Sequence, residues 1–257
     1  MGVTQTPTAM TTDPMARAEQ EAREKLALCA RSLHRIGVYD LAGHISLRIP
    51  DSPLILITPG GGLDKSRLTA ADMVTMDADG RHMAGPYPPP LEWPIHTVVH
   101  AARPELESVA HLHAHWSTVF SIVDRPMDIV LLPASSLGGP VPYFTEPGLV
   151  TDVELGQKLN AALGNRAAVL MRWHGITVVG DTLEEMFERA LFMEENARML
   201  WEASALGRPI PVPAEAMATH ARRGGMRPGA RTFTYFANLE APPAEQRWVS
   251  HRSSESG

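Results

Sequence analysis

An α/β architecture three layers deep is what the sequence predicts: helices on both faces of a central, largely antiparallel mixed sheet. Three observations lead there. Apolar residues recur with period two in some segments and at three- to four-residue spacing in others, so strands and helices both occur. The two kinds mix without a strict strand–helix–strand beat, and several strands sit in hairpin-like pairs. At 257 residues, 44% hydrophobic and 20% charged, the chain is long enough to bury one large core.

The elements follow in order. Residues 1–13 read as a disordered leader. Asp13 is a helix N-cap and Pro14 a favoured first helical residue. Leu26, Cys29, Leu33 and Ile36 then share one helical face until Gly37 stops the helix. In residues 43–50, Ile45, Leu47 and Ile49 alternate with His44, Ser46 and Arg48, a strand with one polar face. A short apolar strand at 54–58 runs into Pro59-Gly60-Gly61-Gly62, where the backbone can approach a ligand closely. Thr69 with Asp72 forms a capping box; a strand at 73–76 and a hairpin turn at 77–80 follow. Residues 87–90, Tyr-Pro-Pro-Pro, are a rigid extended lead.

The second half continues with a helix at 95–102, a strand at 109–113, a helix at 117–123 and a strand at 129–132. Thr151 with Glu154 opens a helix that Gly164 closes. Strands at 167–172 and 176–179 flank a turn at Trp173-His174-Gly175. Thr182 with Glu185 starts the longest helix, ending at Leu206 before Gly207. Residues 208–257 form a proline-rich, partly irregular extension with a flexible Arg222-Arg-Gly-Gly225 and an aromatic patch at 233–236. It is expected to pack on another subunit or to be partly disordered.

Composition excludes several classes. A net charge of −6 gives no basis for a nucleic-acid or anionic-membrane partner. No apolar run reaches the roughly 18 residues of a membrane span, and the polar N-terminus lacks the pattern of a secretory signal. One cysteine, Cys29, permits no internal disulfide and suits a cytoplasmic location.

The eleven histidines cluster. His111 and His113 alternate on a strand, so both imidazoles face the same way and can reach one point. His174 lies at the turn between two later strands. Three imidazoles with an open position make a catalytic rather than a structural metal site, and Glu92 supplies a carboxylate upstream.

Six segments then carry a resemblance: Gly43-His44-Ile45-Ser46-Leu47-Arg48, Thr58-Pro59-Gly60-Gly61, Glu92-Trp93-Pro94-Ile95-His96, Arg103-Pro104, His111-Leu112-His113 and His174-Gly175. In this order, over about residues 20–206, they resemble the class II aldolase/adducin family. Glu92 precedes the two histidines by 19 and 21 residues, also as in that family. The resemblance implies an α/β/α sandwich whose catalytic domain spans 14–207. It implies His111, His113 and His174 as ligands of one divalent ion per subunit, among zinc, manganese, iron and cobalt, and Glu92 as the catalytic carboxylate. It also implies a homotetramer with active sites at subunit interfaces.

Departures from the family pattern speak to substrate. Sugar-phosphate aldolases of the family usually carry Gly-Asn where this chain has Gly43-His44, and two serines where it has Pro90-Leu91. Pro and Leu side chains donate no hydrogen bond to a phosphate. The small-molecule substrate is therefore expected to be non-phosphorylated, in a pocket made aromatic by Trp93, Trp116, Trp173 and Tyr143. Expected substrate contacts are Ser46, Arg48, Thr58, Gly60, Gly61, His115 and Tyr143. The same departures are similar to the family's decarboxylases of hydroxylated aromatic acids such as dihydroxyphthalate, with Glu92, His44 or His115 protonating the ring carbon. The leading expectation is such a metal-dependent decarboxylase, a lyase of aromatic compound metabolism. An aldolase on a non-phosphorylated carbonyl compound, an iron-dependent oxygenase of a biosynthetic pathway and a non-catalytic adducin-like protein are the alternatives.

Overall fold

A computed structural model describes residues 13–222, 228–241, 245 and 247. The expected leader, apart from Asp13, and most of the Arg222–Gly225 run lie outside them. Among the described residues, eight strands form one sheet: β1 Gly43–Arg48, β2 Ile55–Ile57, β3 Val74–Met76, β4 His82–Ala84, β5 Ser108–Leu112, β6 Tyr143–Phe144, β7 Ala168–Met171 and β8 Gly175–Gly180. Their order is β4-β3-β2-β1-β5-β8-β7-β6. Every neighbouring pair is antiparallel except β6 with β7. The mixed, largely antiparallel sheet is thus the predicted one.

Strand alternation sorts side chains between two helical layers. On one face, Ile45 and Leu47 of β1, Ala110 and Leu112 of β5, and Ile176 and Val178 of β8 are buried. They pack with Leu26 and Leu33 of α1 (Pro14–Arg35), Phe187 and Met193 of α5 (Leu183–Leu206), and Phe233 of α7 (Ala230–Asn238). On the other, Val109, Val169 and Val179 meet Ile95 and Val99 of α2 (Trp93–Ala102) and Leu159 and Leu163 of α4 (Val153–Leu163). Each fully buried Leu or Ile contributes roughly 1.5–3 kcal/mol relative to exposure. The polar face of β1 is therefore not solvated: His44 and Ser46 are buried under α2.

Helix ends behave as their residues dictate. Asp13 accepts from the Met15 N–H at α1, and Thr182 accepts from the Glu185 N–H at α5. At α4 the cap is Asp152, accepting from the Leu155 N–H at 2.9 Å, rather than the expected Thr151. A helix expected at 117–123 begins earlier, as α3 His115–Ser121.

The expected strand at 129–132 does not form. Asn196 of α5 takes the place of a neighbouring strand. Its side-chain oxygen accepts from the Val130 and Leu131 N–H groups at 2.9 and 3.0 Å, and its amide donates to Asp128 O at 2.9 Å. The chain then turns into a 3-10 helix, Leu132–Leu137. Within the extension, α6 (Ala214–Arg222) and α7 are regular helices, and Phe233 of α7 packs edge-on against Phe187 of the same chain.

Asn196 is fully buried. Asn196→Leu leaves two N–H groups and a carbonyl without partners, so the unfolding free energy in urea falls by about 3 kcal/mol with an unchanged slope. A loss below about 1 kcal/mol contradicts the clamp.

Candidate metal centre

The sheet register brings the site together. His111 pairs with His44 on β1 and with Thr177 on β8, in the middle of the sheet. Its side chain falls on the α2 face with Val109. The His111 Nδ1–H donates to Ile176 O at 3.1 Å, which leaves the Nε2 lone pair facing inward. Just beyond the strand, His113 places its Nε2 3.0 Å from that of His111.

His174 enters from the turn before β8. Its neighbour Trp173 holds a positive φ of 59°, and Gly175 leaves no room for a Cβ against the Leu112 carbonyl. The other wall is equally tight: Gly43 has φ 103°, and a Cβ there would sit 2.6 Å from His111 O. Two glycines thus let β1 and β8 close on the end of β5.

Glu92 occupies the N-cap position of α2, delivered by the rigid prolines before it. Its Oε1 accepts from the Val150 N–H at 2.9 Å. Its Oε2 lies 3.5 Å from His111 Nε2, 3.6 Å from His174 Nε2 and 4.0 Å from His44 Nε2. One ligand atom from each of Glu92, His111, His113 and His174 lies within 4.8 Å of the others.

The electrostatics suit a cation. Burial, and then the neighbouring imidazoles, push His111 well below the ordinary histidine range. Burial also lowers His113 and His174. Burial raises Glu92, opposed by the Val150 N–H and by His113. Neutral imidazoles with inward lone pairs are the form a metal requires. Neither ring nitrogen of His174 has a hydrogen-bond partner among the described residues, although both are buried. A neutral imidazole has one N–H and one lone pair, and burying both unpaired is costly unless something binds there. Tetrahedral ligands about 2.0–2.1 Å from zinc stand about 3.3 Å apart, close to the spacings found here. The residues present fit a divalent ion.

The cluster opens into a cavity of about 950 Å³ lined by residues that include His44, Gly60, Gly61, Tyr87, Pro90 and Leu149. Of the expected substrate contacts, Gly60 and Gly61 reach it, as does His44, expected as a proton donor. The others do not, for identifiable reasons. Ser46 is fully buried between His96 and His100. Arg48 is spent on backbone carbonyls, Leu106 O at 2.8 Å and His100 O at 2.5 Å. Thr58 is buried, accepting from Ile45 N–H beside the Tyr39 hydroxyl. His115 is exposed at the start of α3, against Trp116. The Tyr143 hydroxyl donates to the Phe120 and Arg125 carbonyls, and Arg172 covers its ring.

The expected aromatic lining also differs. Trp93 packs with Ile55, Ile57, Val74 and Met76; Trp116 meets Trp201; Trp173 is exposed. Tyr87, prolines and leucines supply the wall instead. Three contributors had no assigned role in the sequence. The Val150 amide leaves no side-chain signal at all. His96 and His100, four apart on one helix, do leave one, since that spacing puts both on a single face.

Comparison with known proteins agrees with this geometry. Residues 24–201 match the family model described as Class II Aldolase and Adducin N-terminal domain. The chain is 30% identical over 223 residues to a 5-methylthioribulose-1-phosphate/5-deoxyribulose-1-phosphate aldolase of Rhodospirillum rubrum, covering 86% of this chain and 96% of that relative. It is 32% identical over 188 residues to a 3,4-dihydroxyphthalate decarboxylase of a Terrabacter species, covering 68% and 78%. Among solved structures, an aldolase II superfamily protein from Pseudomonas syringae superposes with a TM-score of 0.76 at 25% identity, over 89% of this chain and 94% of that one.

His174→Ala removes one of the converging nitrogens while the sheet register stays intact. Zinc affinity, measured by competition with a chromophoric chelator, is expected to fall by about 100-fold or more, beyond the effect of losing an outer partner. Unchanged affinity contradicts His174 as a ligand.

Proposed function

Because the chain belongs to the class II aldolase and adducin family, a family of aldolases and decarboxylases, we propose that it is a metal-dependent carbon–carbon lyase, a decarboxylase of a hydroxylated aromatic carboxylic acid. One divalent ion per subunit, drawn from zinc, manganese, iron or cobalt, is held by His111, His113 and His174 with Glu92 alongside. When bound, it supplies Lewis-acid stabilisation of the negative charge that develops on an oxygen near the breaking bond.

The chain's own groups do the rest. The Val150 N–H pins one oxygen of Glu92, leaving Oε2 turned toward the histidines. Glu92 and His44 are the two groups placed to deliver a proton to the ring carbon as carbon dioxide departs. The step balances: one carbon–carbon bond breaks, its electron pair stays on the ring, and one proton is taken up there.

The observation that carries the substrate class is the cavity wall. Leu41, Ala42, Leu63, Tyr87, Pro88, Pro89, Pro90, Leu91 and Leu149 surround the cluster, and among the described residues no Lys, Arg, Ser or Thr side chain lines it. An apolar ring fits such a wall, whereas a phosphate would find no lysine, arginine, serine or threonine side chain there. An aldolase acting on a non-phosphorylated carbonyl compound is the second reading, supported by the aldolase name of the Rhodospirillum relative.

Residues 14–207 are assigned as the catalytic unit, with α6 and α7 of the extension packed upon it. Exposed Leu41, Leu91, Leu149 and Trp173 near the cluster support a homotetramer with sites at subunit boundaries. A single, fully buried Cys29 supports a cytoplasmic setting. Among the described residues no helix is long and apolar enough to cross a membrane.

A panel of hydroxylated aromatic acids, followed for carbon dioxide release with and without chelator, tests the proposal against sugar phosphates and simple carbonyl donors. Release is expected only from the aromatic acids and only with metal present; turnover confined to sugar phosphates contradicts it. Glu92→Gln, which keeps the acceptor for the Val150 N–H, should retain metal and lower kcat by about 10²–10⁴-fold. Full activity in that variant removes Glu92 from proton transfer.

A further inference from the structure

Behind His44 lies a buried chain of polar side chains, His96, Ser46 and His100, that the proposed chemistry does not use. Ser46 Oγ stands 2.9 Å from His100 Nε2 and 2.7 Å from His96 Nδ1, and His96 Nε2 stands 2.6 Å from His44 Nδ1. His96 and Ser46 are fully buried, and His100 is 2% exposed. The chain runs from Arg48, whose guanidinium lies against His100 O, to Glu92, whose Oε2 is 4.0 Å from His44 Nε2.

The geometry points to His100, Ser46 and His96 as positioning residues that fix His44 with its proton on Nε2, as a hydrogen-bond donor aimed into the cavity at an anionic oxygen of the substrate. Donation can run either way along such a chain. The Ser46 hydroxyl could also turn to Val109 O, but that carbonyl is 3.4 Å away against 2.7 Å for His96 Nδ1, the better acceptor. The ends of the chain choose the direction. Among the described residues His100 Nδ1 has no partner in hydrogen-bonding geometry, and the nearby Leu106 carbonyl accepts instead from Arg48 Nε at 2.8 Å. A buried N–H without an acceptor is rarer and costlier than a bare lone pair, and the Arg48 cation beside His100 also favours a lone pair at that end. The His100 proton therefore sits on Nε2 and is donated to Ser46. Ser46 donates to His96 Nδ1, and the His96 Nε2–H to His44 Nδ1. His44 is left with its proton on Nε2, directed toward the Glu92 carboxylate and the cavity. Every N–H and O–H then points away from the cation and toward the anion, the arrangement in which successive hydrogen bonds strengthen one another. Burial supports this by holding His96 and His100 neutral, one proton each, with His100 lowered to about 3.

The assignment of a carboxylate or oxyanion as the recipient rests on the lyase reading above; the tautomer does not. Long-range ¹H–¹⁵N correlation spectra of zinc-loaded protein labelled with ¹⁵N-histidine report each ring's tautomer directly. The expected result is a protonated Nε2 and bare Nδ1 on His44; a protonated Nδ1 overturns the proposal whatever the enzyme's substrate. Two variants add a functional readout. His96→Gln keeps an N–H near the position of Nε2, whereas His96→Leu keeps bulk but no donor. On an acid that the panel shows to be turned over, the Gln variant should stay within about threefold of wild type in kcat/KM. The Leu variant should lose about 10- to 100-fold with zinc retained, as expected for a misdirected hydrogen bond to a charged group. Equal losses in the two variants also overturn it. Should the Leu variant fail to fold, the spectrum of the unaltered protein decides alone. A correct tautomer in a protein that turns over none of the acids counts against the lyase reading and leaves this inference standing.

Discussion

The register of β5 between β1 and β8 is the constraint on which the rest depends. His111 opposite His44 and Thr177 puts an imidazole on the α2 face and leaves Ala110 and Leu112 in the opposite core. A slip of one residue would exchange the faces, burying His111 among the leucines of α1 and α5 and placing an apolar side chain beside Glu92. Two close backbone approaches, at Gly43 and Gly175, hold the neighbouring strands against the end of β5. Sheet pairing and ligand geometry are therefore one interaction seen at two scales.

Such a site costs stability. Several imidazoles and a carboxylate leave water together, and the charged form of each is disfavoured by burial. The fold meets that cost in two ways. Hydrogen bonds tie down His96, Ser46, His100 and one oxygen of Glu92. The converging lone pairs of His111, His113 and His174 could be met by a bound ion, which would stabilise the folded chain by about 2.7 kcal/mol at a free concentration 100 times its Kd. The two cores on either side of the sheet supply the rest.

Much of this was legible in the sequence, and the failures share a cause. Helix starts at Asp13-Pro14 and Thr182 are local chemistry and were read correctly. The H-x-H alternation and the spacing from Glu92 pointed to residues that the structure brings together. What the sequence does not display is the element a strand packs against. The alternating His44, Ser46 and Arg48 suggested a face open to ligand, whereas α2 covers it with His96 and His100 and the backbone absorbs Arg48. Residues 129–132 have strand composition, yet their N–H groups meet a side-chain amide contributed from more than sixty residues away. The two-residue strand β6, paired parallel with β7, is too short to give any periodic signal. His115 continues the alternation on paper, but the strand ends at Leu112 and the start of α3 turns it outward.

The central claim is that the end of β5 is a metal centre built by three histidines beside one carboxylate. Anomalous diffraction from crystals grown with zinc or manganese, recorded at the metal's absorption edge, tests it most directly. The account predicts one peak per chain, about 2.0–2.2 Å from a ring nitrogen of each of His111, His113 and His174. A peak elsewhere, or none at this cluster under saturating metal, contradicts it.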